Sequence, residues 1–346
     1  MSENGDSRGG VLLVGYFLSS KMTARSVAED LGDRLRLAGW RVVTTSCQEN
    51  RLLRTLDMAY TAWRRRSEYR VAAVDLYSGW GFIWAEVVCA VLRLARKRYI
   101  LTLRGGRLPT FSRRWPGRVR RLLGSAHTIT TPSSFLLREM APFAPPMRLL
   151  PNPIDIACYP FRLRDHPAPR LVWLRSFHNV YNPALAPDAL SQLVPDHPDA
   201  TLLMVGRDKG DGSLEATWAM ARERGVEARL SIPGGVKKSE VPDWLNRGDI
   251  FMNTTNYDNT PVSVLEAMAC GLCVISTNVG GIPDLLEHEQ DALLVPPADA
   301  AAMASAARRV LADPELASRL SRSGRAKAVQ FDWSNIFPQW EDLLKI

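Results

Sequence analysis

Short apolar runs alternate with stretches of helical spacing along the whole of this chain. Residues 11–17 form the first run, VLLVGYF. Over 23–38 the positions Val27, Leu31, Leu35 and Ala38 recur at the spacing of one helix face, and Gly39 ends the pattern. Residues 40–45, 71–76 and 99–103 are further strand candidates, with an apolar-faced helix over 81–95 between the last two. Residues 128–131 add one more, and Pro132-Ser133-Ser134 lead into a helix that closes the first half. Strands alternating with helices predict parallel βαβ units in a doubly wound sheet.

A proline-rich stretch from Pro142 through Pro153 to Pro169 has few long apolar runs and reads as a crossover between domains. The alternation then restarts, with strands expected at 171–174, 201–205, 229–232, 250–253, 273–277 and 292–295. Helices intervene, notably over 215–224, 262–269 and 300–312. A chain of 346 residues exceeds one comfortable core, so two domains are expected. The fold class predicted is α/β, two doubly wound domains facing each other across a cleft at their strand C-terminal ends. Periodicity alone names no chemistry.

Composition narrows the class. The chain is 46% hydrophobic and 23% charged, which excludes a disordered or collagen-like chain. Five cysteines, odd and sparse, exclude a disulfide-stapled secreted scaffold. The opening MSENGDSRGG is not a basic leader region, and no uncharged apolar stretch reaches the ~18 residues that span a bilayer. A soluble, cytoplasmic protein is expected, with a peripheral position at the inner membrane face as the variant. The net charge of +8 is concentrated: between residues 64 and 121 fifteen Lys and Arg face only Glu68, Asp75 and Glu86. Such a field attracts an anionic membrane surface or a polyanionic or lipid-phosphate ligand, or it is a solvated surface. Trp63, Trp80, Trp84 and Trp115 are interfacial anchors on the first reading and core residues on the second. No zinc spacing, helix-turn-helix or RNA-binding aromatic motif accompanies the arginines, so no nucleic-acid partner is expected.

Several chemistries lack their motifs. There is no G-x-x-x-x-G-K-[ST] and no complete dinucleotide fingerprint, although a glycine-rich tract with Gly206 and Lys209 follows a strand. No two aspartates are separated by a single residue, so a metal-bridging D-x-D is missing and no metal site is expected. Cys270 and Cys273 have redox spacing without a second pair and read as small buried residues.

The informative stretch runs from Asn253 to Gly271 and on to Asp284. Thr260 reads as a helix N-cap, Pro261 as the first helical residue and Gly271 as the stop. The N–H groups of Val262 and Ser263 then point out of a helix N-terminus, a ready site for phosphate. Asp258 lies in the loop just before it and Glu266 about a turn and a half inside, suited to holding sugar hydroxyls at both ends of a nucleotide-sugar. The bland alternative is a capped helix with one surface acid and one helical acid.

This region closely resembles the nucleotide-sugar-binding domain of glycosyltransferase family 4, the glycosyl transferases group 1, retaining enzymes of the GT-B fold. The motifs that carry the resemblance are the acids Asp258 and Glu266 eight positions apart, Glu266-Ala-Met-Ala-Cys-Gly271, Val274-Ile275, Gly280-Gly281-Ile-Pro-Asp284 and Asp291 to Asp299. Phe331-Asp-Trp333 with the helix after it, and Pro151-Asn152-Pro-Ile-Asp155, are similar to the family's closing helix and interdomain motif. The likeness is specific over about 125–340; before that only the element pattern and Leu103-Arg104-Gly105-Gly106 match.

The resemblance implies an acceptor-side domain over 1–155, closed by a helix over 332–346, and a donor domain over 165–331. It implies that Glu266 holds the ribose, that Asp258, in place of the usual Glu, contacts the transferred sugar, and that Arg175 grips the diphosphate. Thr260, Val262, Ser263, Gly206 and Lys209 fall on the donor side. The lysine usual five residues after the arginine is Val180 here, with Lys209, Arg207 or His178 as substitutes, and Arg104 stands where many relatives carry a histidine. Gly15 and Lys21, with Ser19, Ser20 and Thr23, lie in a loop where the first domain meets acceptor or donor, or which is simply solvated. The activity implied is a hexosyltransferase of polysaccharide or glycolipid synthesis. It takes a UDP- or GDP-sugar, needs no cofactor, and acts with retention and without metal on a glycan or lipid-phosphate acceptor. A nucleotide-sugar epimerase of the same architecture and a non-catalytic sugar-nucleotide sensor are the alternatives.

Overall fold

The computed structural model describes residues 9–17 and 26–346. Contacts divide the chain into two units, one reaching to Asn152 and including Ser334–Ile346, the other Pro153–Trp333. The first unit carries β1 (Gly10–Val14), β2 (Arg41–Thr45), β3 (Val71–Leu76), β4 (Arg98–Leu103), β5 (Thr128–Thr131) and β6 (Arg148–Leu149) in the order β2-β1-β3-β4-β5-β6. Every pairing is parallel. The second unit carries β7 (Arg170–Leu174), β8 (Thr201–Val205), β9 (Leu230–Gly234), β10 (Ile250–Asn253), β11 (Cys273–Thr277) and β12 (Leu293–Val295), again parallel, in the order β12-β11-β10-β7-β8-β9.

The strands read as unbroken apolar runs because both faces of each sheet are covered. In the second unit Leu171, Trp173, Ile250, Met252, Cys273 and Ile275 pack into one core, while their neighbours Val172, Phe251 and Val274 pack into another. Successive side chains of a strand point to opposite faces, so one sheet separates two cores. In the first unit Asp75 is the one charged residue of the wholly buried β3, and it sits next to that strand's last residue.

Some boundaries move. β1 ends at Val14, not at residue 17, because the chain turns at Gly15, whose N–H bonds to the Thr45 carbonyl. The first helix is Val27–Leu37, started by a capping box in which Ser26 and Glu29 bond each other's backbone N–H. Seven helices among the described residues were not anticipated from the sequence: Arg51–Arg64, Leu108–Arg114, Pro116–Leu123, Leu185–Leu193, Val241–Leu245, Ile282–Leu285 and Pro314–Gln330. Trp84 is 3% exposed and belongs to the first unit's core, whereas Trp63, Trp80 and Trp115 are each close to half exposed. Cys270 and Cys273 are buried, which pushes their thiols up to about 11 and about 12. Among the described residues no helix is long and apolar enough to cross a membrane.

Candidate functional site

In the second sheet β7 and β10 lie side by side, and the chain leaves them in opposite directions, toward β8 and toward β11. That reversal opens a crevice beyond the strand C-terminal ends, the place where doubly wound sheets bind ligands. Arg175 is the first residue past β7, and the loop 254–261 follows β10. The Arg175 N–H donates to the Val205 carbonyl at 3.1 Å. Gly206, the next residue along, packs so tightly there that a Cβ would overlap the Arg175 carbonyl oxygen. Gly206 therefore permits the close approach that fixes where Arg175 begins.

The loop after β10 is held by a buried polar network. Trp173 Nε1 donates to Thr254 Oγ1 at 2.9 Å, and that hydroxyl donates to the Tyr181 carbonyl at 2.8 Å. Thr277 Oγ1 donates to the Thr255 carbonyl at 2.6 Å, and Asn253 Nδ2 to Ser276 Oγ at 2.8 Å. A fully satisfied buried network of this kind specifies one geometry, because each broken bond leaves a polar group stranded.

That loop delivers Asp258 to Arg175. The two side chains form an ion pair, Arg175 Nη2 to Asp258 Oδ2, with exposures of only 18% and 13%. The guanidinium carbon sits 4.4 Å from the Tyr181 ring centroid, and His178 caps the turn that presents Tyr181, its Nδ1 accepting from the Val180 N–H at 3.1 Å. Burial pulls the Arg175 pKa below the ordinary guanidinium value. Its buried Nε has no hydrogen-bond partner among the described residues, and neither has Ser263 Oγ. Buried polar atoms are nearly always satisfied, so an orphan within the ion pair and another in the first turn of the helix that follows Asp258 mark a place built for something further.

The helix Val262–Ala269 begins one residue later than its sequence suggests. Thr260 is not its N-cap: Pro261 is, with ψ 112°, and its carbonyl already accepts from the Val264 N–H at 3.1 Å. Proline's fixed φ of −71° suits either position, and the extended ψ decides. Among the described residues no side chain caps this end, so the N–H groups of Val262 and Ser263 remain available for an anion. At the other end Gly271 adopts φ +81° and closes the helix.

The glycine pair downstream has a local reason too. Gly280 has φ +56°, a Cβ on it would overlap the Asp258 carbonyl, and the Gly281 N–H donates to that carbonyl at 3.0 Å. Gly280→Ala is expected to displace the Asp258 loop, costing about 1–3 kcal/mol of stability and roughly tenfold or more in ligand affinity. Gly39→Ala is the control, since Gly39 has a similar φ of +85° with nothing within 4 Å of a new Cβ. Equal ligand affinity in both variants would show that the turn does not position Asp258.

Glu266 is 4% exposed and already engaged: Tyr159 Oη donates to its Oε1 at 2.8 Å, and Lys238 Nζ pairs with the same oxygen. Both bonds end on Oε1, and among the described residues no hydrogen bond or ion pair takes up Oε2, which faces no competitor for a ligand. Tyr159 and Lys238 were not singled out from sequence; they lie 107 and 28 residues away, and only the fold joins them. The Lys209 and Arg207 side chains are not joined to this group by any hydrogen bond or ion pair found here. Lys209 is exposed on a backbone bridge between Phe177 and Asp208, and Arg207 is half-buried. Among the described residues no three His, Cys, Asp or Glu side chains gather as metal ligands.

In the first unit Arg104 Nε pairs with Asp75 Oδ1 at 2.9 Å, and Arg104 Nη1 donates to Asn152 Oδ1. Burial pulls this guanidinium down, but the charge of the Asp75 carboxylate and its hydrogen bond work against that, and its pKa is held above the ordinary value. Gly15 stands over the same carboxylate: a Cβ there would meet Asp75 Oδ2 at 2.9 Å. Lys21, with Ser19, Ser20 and Thr23, lies outside the described residues.

Comparison with known proteins bears on the family and the fold. Residues 168–313 match the family described as glycosyl transferases group 1. The chain is similar to a glycogen synthase of Mycobacterium tuberculosis, 30% identical over 192 residues that cover 54% of this chain and 45% of that enzyme. It spans about half the length of the curated relatives it matches. In fold it is similar to sucrose-phosphate synthase from Thermosynechococcus elongatus, with TM-score 0.80, 19% identity and 98% of each chain covered. It is likewise similar to HepE of Anabaena in complex with UDP and glucose, with TM-score 0.76, 16% identity, and 97% and 99% covered. The fold class is thus α/β of the GT-B type, with a parallel six-stranded sheet in each unit.

Proposed function

We propose, from a second unit whose residues 168–313 match the glycosyl transferases group 1 family, that this protein moves a glycosyl group from a nucleoside-diphosphate sugar to an acceptor. The observation that carries the proposal is the buried Arg175–Asp258 pair just before a helix N-terminus that, among the described residues, no side chain caps, with Arg175 Nε and Ser263 Oγ unpartnered among the same residues. A diphosphate satisfies all of these at once. Its oxygens accept from the guanidinium fork and from the Val262 and Ser263 N–H groups, and its charge replaces the Asp258 carboxylate as the partner of Arg175. Asp258, so released, is free to take the sugar's hydroxyls.

Glu266, braced by Tyr159 and Lys238, takes the ribose hydroxyls through its open oxygen. As the glycosyl bond breaks, negative charge builds on the departing diphosphate, and donors already aimed at it stabilise that charge without reorganising. Retention of anomeric configuration and independence of metal are part of this reading and rest on the family resemblance. A UDP-sugar donor has the support of the Anabaena protein, which holds UDP and glucose. A lipid-phosphate or glycan acceptor fits the basic stretch 64–121, and the exposed free thiol of Cys47 fits a reducing, cytoplasmic setting.

A thermal-shift screen against UDP-, GDP- and ADP-sugars tests the donor. A ligand at a hundred times its Kd stabilises the native state by about 2.7 kcal/mol, a rise of several degrees in Tm. One donor class is expected to produce that rise, and Glu266→Gln, which keeps the shape and removes the charge, is expected to lose most of it. An unchanged rise in Glu266→Gln would remove Glu266 from the donor site. Turnover then separates the alternatives: a transferase consumes donor only with an acceptor, an epimerase alters the free donor, and a sensor does neither.

A further inference from the structure

The helix Arg51–Arg64 is apolar on the side where a surface helix is ordinarily polar. Its Arg54, Met58 and Ala62 face inward and are buried. Its outward face carries Leu52, Leu53, Leu56, Tyr60 and Trp63, exposed by 61%, 56%, 66%, 65% and 46%. At 3.6 residues per turn these five fall within a stripe about 100° wide, opposite the buried side. Five large exposed side chains in one stripe form a continuous apolar patch, and such patches mark interaction surfaces.

The charges around the stripe say what covers it. Arg64 borders it on one side, and Arg65 and Arg66 continue from its C-terminal end, with the Arg66 guanidinium 4.5 Å from the Trp63 ring centroid. Between residues 51 and 70 there are six arginines and only two acids, Asp57 and Glu68. Both acids are engaged: Asp57 accepts from Ser46 Oγ, and Glu68 is forked onto Arg65 at 2.8 and 2.6 Å. On the inward side of the helix Arg51, the buried Arg54 and the half-exposed Trp80 line a cavity of about 210 Å³. Exposed apolar side chains that end in a tryptophan and a run of three arginines match the boundary between lipid headgroups and acyl chains.

We propose that this helix seats the protein on an anionic bilayer surface, with the five apolar side chains below the headgroups and the arginines among their phosphates. A second copy of the chain is the poorer occupant. A two-fold interface sets the same face against itself, and it would gather the arginines of both copies about one interface whose acids, Asp57 and Glu68, are already engaged. The seat is a property of the helix and its charge; it is read by binding, apart from donor recognition or turnover.

Sedimentation of the full chain with vesicles tests the proposal. Binding is expected to vesicles of phosphatidylcholine with phosphatidylglycerol and not to phosphatidylcholine alone. Salt is expected to release it, as the screening length falls from about 10 Å at 0.1 M to about 3 Å at 1 M. Leu56→Ser is expected to weaken partitioning roughly ten- to a hundredfold, and Arg64→Gln or Arg66→Gln about fivefold each. Leu37→Ser removes an 87% exposed leucine from another helix and is expected to change nothing. All these side chains are exposed, so unfolding midpoints should match the parent. Salt-insensitive or absent sedimentation overturns the proposal, as does equal partitioning of Leu56→Ser and Leu37→Ser. A dimer in sedimentation velocity that Leu56→Ser dissociates would assign the face to a second copy instead.

Discussion

Arg175→Ala is expected to lower the rate of glycosyl transfer by roughly two to three powers of ten, the scale of removing one preorganised donor from a developing anion. The loss should fall mainly on kcat, because the charge on the departing diphosphate grows toward the transition state. Arg175→Lys keeps the charge but not the two parallel N–H bonds, and it should lie between the parent and Arg175→Ala. Removing the guanidinium also leaves the 13% exposed Asp258 carboxylate without its cation. Unfolding midpoints measured beside the kinetics separate that effect from catalysis. Steady-state kinetics with the donor selected by thermal shift give the answer, and a parent-like kcat in Arg175→Ala would remove Arg175 from the chemistry.

Asp249→Ala is expected to be the most destabilising single change in the second unit, costing about 3–5 kcal/mol. Asp249 is 3% exposed and lies one residue before β10. Its Oδ1 accepts from Arg162 Nη2 at 2.6 Å and Arg164 Nε at 3.3 Å, and its Oδ2 from Arg170 Nη2 at 2.7 Å and the Ala168 N–H at 3.1 Å. Arg164 is itself 2% exposed, and burial pulls its pKa down to about 10, so it stays charged at neutral pH. Without Asp249 that cation keeps only its carbonyl and amide partners, among them Asn246 Oδ1 at 2.9 Å and the Gly248 carbonyl at 3.1 Å. Arg162 and Arg170 are half exposed and are re-solvated easily, so Arg164 carries most of the cost. The drop should appear in the urea midpoint of the second unit. A midpoint like the parent's would show that water reaches the cluster.

Much of this fold is legible in the sequence because parallel strands covered on both faces are written as short unbroken apolar runs. β3, β5, β8, β10 and β11 fall on the residues their pattern predicts. The helix Arg51–Arg64 is hidden for the opposite reason: apolar residues occupy both its sides, and Arg54 is among the buried ones, so no polar face sets the period. The helices Leu108–Arg114 and Pro116–Leu123 read as a charge field, yet each has a proline in its first turn, where a missing N–H costs nothing.

The candidate site divides in the same way. Asp258, Glu266 and the helix between them are adjacent in sequence and could be read there, apart from the one-residue shift at Pro261. The pairing of Arg175 with Asp258 and the bracing of Glu266 by Tyr159 and Lys238 depend on strand order. Nothing local distinguishes Tyr159 within the proline-rich crossover or Lys238 beside Lys237.

The claim beneath all of this is that Arg175 and the N-terminus of the helix Val262–Ala269 together receive a diphosphate. The most direct measurement is a binding cycle: the nucleoside mono- and diphosphate of the preferred base, each titrated into the parent and into Arg175→Ala. The account predicts that the parent binds the diphosphate at least about tenfold more tightly, a difference of about 1.4 kcal/mol, and that Arg175→Ala abolishes this preference. The same preference in both proteins would contradict it, because the second phosphate would then be held without the guanidinium.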